Sequence, residues 1–133
     1  MLEVSRSLAL KTRPRGPAFS DALEEQHYRQ ARLALDLAMS SVFGVESGAL
    51  WHGTRGAKGI ASARQIAMYL AHVSCGMTLT DVGTMFGRDR TTVSYGCLKV
   101  EYRRDDPILD RTLDLLGWAL PTLVMRAEKR RPH

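Results

Sequence analysis

Leu79-Thr-Asp-Val-Gly-Thr-Met-Phe-Gly-Arg-Asp-Arg-Thr-Thr-Val-Ser-Tyr-Gly-Cys-Leu-Lys-Val100 divides into two apolar-periodic runs around Gly87-Arg88. In the first run Thr78 stands three residues before Asp81, a spacing that resembles a capping box and starts a helix near Leu79. Leu79, Val82 and Phe86 then share one face, and Gly83 lies on the same side, where a missing side chain lets a neighbour come close. In the second run Asp89 is placed to cap a helix whose apolar stripe is Val93, Cys97 and Val100. That helix opens with Arg90, Thr91 and Thr92 and hides its apolar residues on the other side. Two short helices with a glycine turn, the second leading with short polar groups and an arginine, read as a helix-turn-helix built to enter a DNA groove.

Upstream, residues 21–43 keep a helical stripe at Ala31, Ala34, Leu37, Ala38, Ser41 and Val42, with Gly44 as the cap. Residues 45–60 are glycine-rich and read as a short helical turn followed by a basic loop. A second long helix is expected over 62–74, burying Ala63, Ile66, Ala67, Leu70 and Val73, with Gly76 ending it. Downstream, Asp106-Pro107 is an N-cap with a first-turn proline. Ile108, Leu109, Leu113, Leu116 and Leu120 carry the last helix as far as Pro121. No segment alternates as a strand does. The expected fold is all-α, a bundle of about five to six helices over residues 20–120, between a flexible basic arm (1–19) and a basic tail (121–133).

The chain's 133 residues, 44% of them hydrophobic and 25% charged, suit one globular domain. No apolar run approaches the roughly 18 residues of a membrane span, and the N-terminus carries Arg6, Lys11, Arg13 and Arg15 where a signal peptide has its apolar core. A cytoplasmic, nucleoid-associated protein with two reduced cysteines is expected. The net charge of +5 is segregated. Lys and Arg outnumber acids four to one in residues 1–20, eight to three in 51–104 and four to one in 121–133, whereas acids prevail five to two in 21–50 and four to one in 105–120. Such segregation suits a phosphate-facing surface better than a uniformly solvated one.

Ser62-Ala-Arg-Gln-Ile-Ala-Met-Tyr-Leu-Ala71, followed by Leu79-Thr-Asp-Val-Gly-Thr-Met-Phe-Gly87 and Arg88-Asp-Arg-Thr-Thr-Val93, resembles the C-terminal DNA-binding domain (domain IV) of the bacterial replication initiator DnaA. The resemblance covers roughly residues 27–120. It implies a Trp-repressor-like helix-turn-helix in the major groove and a basic loop reaching toward the minor groove. In that family an Asp-His-Thr-Thr opening reads bases, and here the matching residues are Asp89, Arg90, Thr91 and Thr92. Arg90 replaces the histidine, Gly96 stands where the family has alanine, and Ser62-Ala63-Arg64-Gln65 replaces Arg-Pro-Arg-Gln. These departures bear on the sequence bound rather than on DNA binding itself. The initiator's ATPase portion has no counterpart in the short stretch before residue 27, so a stand-alone protein without it is expected.

Candidate base contacts are therefore Asp89, Arg90, Thr91, Thr92 and Gly96. Arg90 suits a bidentate pair with guanine or a phosphate clamp. The two threonines suit phosphates, base edges and thymine methyls, or else only settle the first helical turn. Candidate phosphate or minor-groove contacts are Arg55, Lys58, Arg64, Gln65, Thr80, Arg88, Tyr95 and Lys99. Arg64 also suits an ion pair, and Tyr95 also suits the core edge. Gly53-Thr-Arg-Gly-Ala-Lys-Gly59 lacks the glycine spacing and the Lys-Ser/Thr ending of a phosphate loop. His72 and Cys75 have no second pair of metal ligands. No cofactor, metal or catalytic group is expected.

Double-stranded DNA is the expected partner, with the replication initiator, RNA polymerase or another regulator as further partners and no membrane. A monomer, cooperative on adjacent sites, is the expected state. The expected role is transcription regulation or modulation of initiator sites. The alternative is an interaction adaptor for the replication or transcription machinery that binds DNA weakly and non-specifically.

Overall fold

The computed structural model describes residues 17–51 and 58–129, with side chains over 25–51 and 59–124. Five helices are present there, α1 (Pro17–Phe43), α2 (Lys58–Val73), α3 (Leu79–Phe86), α4 (Arg90–Arg103) and α5 (Pro107–Lys129), with a 3-10 turn at Ala49–Trp51. No strand occurs among the described residues.

The second helix, α2, is the axis of the bundle and packs against all four other helices and the 3-10 turn. Its residues Ile66 through Ala71 are buried without interruption, as expected of a helix enclosed on all sides. Around it α1 and α5 pair, and α3 and α4 form the helix-turn-helix. The fully buried side chains Leu35, Met39, Leu50, Leu70, Leu113 and Leu120 come from α1, the 3-10 turn, α2 and α5. Each such burial stabilises by about 1.5–3 kcal/mol.

Local signals explain most of the helix ends. Gly44 takes φ +70, which lets its N–H return to the Ser40 carbonyl and that of Val45 to Met39. Thr78 Oγ1 accepts from Asp81 N–H at 3.0 Å, as the capping spacing predicts. Asp106 caps α5 through Ile108 N–H at 3.2 Å. Three contacts then hold α3 in place. Tyr28 Oη donates to Asp81 at 3.1 Å, Arg32 donates to the Met85 carbonyl at 3.3 Å, and Trp51 stacks on Phe86 with ring centroids 4.7 Å apart.

Several sequence expectations are corrected. Helix α1 begins at Pro17, inside the segment read as an arm over 1–19, and α2 begins at Lys58, inside the segment read as a loop. The buried face of α1 is Ala31, Ala34, Leu35, Ala38 and Met39, while Leu37 and Val42 face outward. Leucines stand at 33, 35 and 37, so periodicity alone permits more than one stripe, and the neighbours select the one through Leu35. Val73 and Ile108, expected in the core, are more than half exposed.

The last helix does not stop at Pro121 but runs through it to Lys129, so the first part of the segment read as a tail is helical. An interior proline costs about 3 kcal/mol because it lacks an N–H and crowds the carbonyl four residues back. Leu120 and Val124, four apart and both buried, offset that cost only if the helix continues.

At the turn between α3 and α4, Gly87 takes φ +69, and its N–H and that of Arg88 both return to the Gly83 carbonyl. A Cβ on Gly83 would sit 2.5 Å from the Arg88 carbonyl oxygen, a backbone atom that cannot swing away. On Gly96 it would meet the Met68 methyl at 3.2 Å, the end of a flexible side chain. Gly83→Ala should therefore lower unfolding free energy by about 1–3 kcal/mol. Gly96→Ala, which gains helix propensity, should stay within about 1 kcal/mol of the parent. Urea unfolding of the two variants checks both values.

Candidate nucleic-acid interface

The first turn of α4 is set by Asp89, which has extended backbone at φ −81, ψ 164. Its carboxylate accepts from Thr92 N–H at 2.8 Å. The Thr92 N–H, then the Thr92 hydroxyl, and more weakly the Thr91 N–H hold the Asp89 carboxyl below its ordinary value, against a small opposing effect of desolvation. Asp89 is thus an ionised cap at the N-terminal end of the helix dipole, where negative charge is favoured.

Behind this turn, Val93 and Val100 are fully buried and hold α4 against the core. In front, Arg90, Thr91, Thr92, Ser94, Tyr95, Leu98 and Lys99 are exposed. Among the described residues the Arg90 side chain has no hydrogen-bond or ion-pair partner in the protein. Lys99 Nζ lies 5.6 Å from the centroid of the Tyr95 ring, so Tyr95 is on the outer face with its neighbour's charge above it, not at the core edge. The far end of α4 is tied down by Arg103, which donates to Ser62 Oγ at 2.8 Å. Glu101 accepts from Tyr69 Oη at 2.6 Å. Arg104 binds Tyr69 as well as Asp110 and Asp114 of α5, and these contacts, led by the one with Asp110, raise its pKa.

Two expected contacts are placed differently. Gly96 is buried against Gln65 and Met68 rather than exposed in the outer stripe, so it is the point where α4 crosses α2. Arg64 is only 7% exposed, and its Nε donates to the Leu50 carbonyl at 2.9 Å. Burial, and then the charge of Arg88, lower its pKa. This arginine fastens the 3-10 turn to α2, because the turn's carbonyl needs a donor in a site shut off from water.

The remaining candidates divide by position. Gln65 is half-buried beside Gly96. Thr80 is exposed at the start of α3. Arg88 is half-buried, with Nη1 donating to the Phe86 and Gly87 carbonyls at the end of α3. Arg55 lies outside the described residues, and Lys58 opens α2 with its side chain outside them. Ser94, which the sequence reading left out, is exposed one turn beyond Arg90. The i, i+4 spacing from Arg90 is the signal that marks it. His72 Nδ1 donates to the Met77 carbonyl at 2.7 Å and so serves the turn after α2. Among the described residues no three His, Cys, Asp or Glu side chains are grouped as a metal site would require.

The turn between α3 and α4, the exposed polar first turn of α4 and most of α4 lie within residues 37–100, and this stretch matches the family described as the bacterial dnaA protein helix-turn-helix. Residues 37–100 are similar to the helix-turn-helix of bacterial DnaA. The chain is similar to the chromosomal replication initiator protein DnaA of Lachnoclostridium phytofermentans, 35% identical over 101 residues, which is 74% of this chain and 22% of that protein. It is similar to DnaA of Treponema pallidum, 41% identical over 66 residues, or 48% of this chain and 14% of that one. To DnaA of Caulobacter sp. (strain K31) it is 41% identical over 61 residues, or 44% and 12%. The chain thus spans about a fifth or less of the length of these relatives. The matched family is a DNA-binding segment and not a catalytic one. Among the described residues no helix is long and apolar enough to cross a membrane.

Because the Asp89 carboxyl is held low in the folded state, its capping contribution is complete above the ordinary carboxylate value and is lost as pH falls through the lowered one. Asp89→Asn keeps a capping side chain without this titration. The gap in melting temperature between the parent and Asp89→Asn should therefore be widest near neutral pH and narrow in acid. Thermal unfolding across that range measures it.

Proposed function

We propose that this chain is a sequence-specific binder of duplex DNA whose α4 lies in the major groove. It acts at promoters as a transcription regulator, or at the sites used by a replication initiator as a modulator. The observation that carries this reading is the first turn of α4. Arg90, Thr91 and Thr92 stand exposed there, on a helix whose other side is locked into the core by Val93 and Val100.

In this reading Arg90 and Thr91 meet base edges, with Thr92 and Ser94 beside them. Arg90 pairs with a guanine by donating two N–H groups of its guanidinium to O6 and N7, a contact its length and planarity favour. Lys99, with Tyr95, meets phosphate one to two turns farther on. Arg55 precedes α2 and Lys58 opens it, and both add positive charge to that stretch of the chain, while Thr80 and Arg88 bound the face at α3. Gln65 supports α4 from behind. The charge distribution agrees, since residues 51–104 hold eight Lys or Arg against three acids. One copy occupies one asymmetric site, as a single helix-turn-helix presents one reading helix. The relatives named above are replication initiators, which supports placing this chain at initiator sites, in competition or in cooperation with the initiator.

The test is equilibrium binding of the full chain to a duplex with the initiator's usual site and to a scrambled duplex at one near-physiological salt concentration. Arg90 replaces the family's histidine, so sites selected from random duplexes should carry a guanine at one fixed position. Arg90→Ala should cost about 1–3 kcal/mol at that base pair alone. Lys99→Ala should weaken all duplexes alike and lower the salt slope by about one. If Arg90→Ala weakens every duplex equally, Arg90 contacts phosphate and base reading falls to the threonines. Equal binding to all duplexes by the parent chain would overturn sequence-specific recognition.

A further inference from the structure

At the opposite end of α4 from Arg90, the helix and the start of α5 enclose an open cleft of about 500 Å3 with Phe43 of α1. Its apolar walls are Phe43, Tyr102, Ile108 and Leu109, and Asp105 and Asp106 stand on its rim. Tyr102 is 70% exposed and Ile108 77%, unusual values for large apolar groups that sit side by side. Asp106 spends one oxygen on the Ile108 N–H. The Asp105 side chain is exposed, and among the described residues it has no hydrogen-bond or ion-pair partner. Arg103 also lines the cleft and donates to Ser62, and Arg104 beside it is engaged with Asp110 and Asp114.

This surface does not suit DNA. Its carboxylates repel phosphate, and Tyr102 lies twelve residues along α4 from Arg90, about 18 Å away. It calls for a segment that is both apolar and basic. Residues 1–16 of the chain have that chemistry. Leu2, Val4, Leu8 and Leu10 supply apolar groups, Arg6, Lys11, Arg13 and Arg15 supply positive charge, and Glu3 is the lone acid.

A chain cannot place Arg13 or Arg15 in its own cleft. Twenty-six residues of α1 separate Pro17 from Phe43, about 39 Å of helix. Arg13, four residues before Pro17, reaches at most about 14 Å from it. We infer that residues 1–16 of one copy dock in the acidic, apolar cleft formed by Phe43, Tyr102, Asp105, Ile108 and Leu109 of a second copy. The contact joins neighbouring molecules without using the groove-facing turn of α4, and it stands whether or not the site-specific reading above holds.

The test is sedimentation of the full chain at concentrations up to about 100 µM, the range expected of a small, weak interface. The parent should self-associate. Ile108→Ser, Asp105→Arg and the pair Arg13→Asp/Arg15→Asp should each weaken association at least tenfold, or about 1.4 kcal/mol. All three change exposed or terminal side chains, and a circular-dichroism melt checks that the fold is kept. In a mixture of Asp105→Arg with Arg13→Asp/Arg15→Asp, the basic segment of the first meets the unaltered cleft of the second and the acidic segment of the second meets the new arginine of the first, so the mixture should associate where neither variant does alone. A monomeric parent, association unchanged in Asp105→Arg, or failure of the mixture to pair would each overturn the proposal. It would equally fall if reversal of Arg13 and Arg15 lowered affinity for duplex DNA and left association untouched, because the segment's partner would then be phosphate.

Discussion

The Arg88 carbonyl lies where the side chain of residue 83 would be, and the geometry of the reading helix follows from that approach. With only a hydrogen at Gly83, the chain leaving α3 turns tightly enough for two successive N–H groups to return to one carbonyl. Asp89 is thereby delivered in extended backbone beside the first turn of α4, where its carboxylate meets the Thr92 N–H. The direction in which Arg90 and Thr91 project is set by this turn. A wider turn would rotate α4 about its axis and carry the same residues away from a common face.

The turn needs a fixed support, and α2 supplies it. Being enclosed on every side, α2 fixes both the reading helix, through Gly96 against Gln65 and Met68, and the 3-10 turn, through Arg64 on the Leu50 carbonyl. Arg103 and Ser62 close the same pairing at its other end. The energetic division is ordinary for a small domain. Apolar burial along Leu35, Leu70, Leu113 and Leu120 supplies the driving force. Hydrogen bonds to buried carbonyls contribute less net stability, but leaving such groups unpaired would cost about 1–3 kcal/mol each.

Most of the helix-turn-helix was legible in the chain because its signals are local. The caps at Thr78, Asp89 and Asp106, the left-handed glycines at 44, 76 and 87 and the stripe Val93–Val100 each act within a few residues. Positions that depend on distant neighbours were misread. Leu37 and Ile108 are apolar and periodic, yet they stand exposed among the described residues. Pro121 is a local helix breaker, but the helix persists because Val124 has a buried place to reach. Arg64, read from the sequence near the start of its helix, lies within α2 and is closed over by the fold, with its Nε on the Leu50 carbonyl.

By itself the sequence determined the all-helical class, the order of the helices, the turn at Gly83–Asp89 and the polar character of the first turn of α4. Propensity, capping and glycine conformation act over three to five residues and need no partner. Only the tertiary structure decided which of two arginines is free and which is structural, which side of α4 faces outward at Gly96, and where α1 and α5 place their leucines. Those outcomes depend on which surfaces lose contact with water. That is a property of elements far apart in the chain, and no local pattern encodes it.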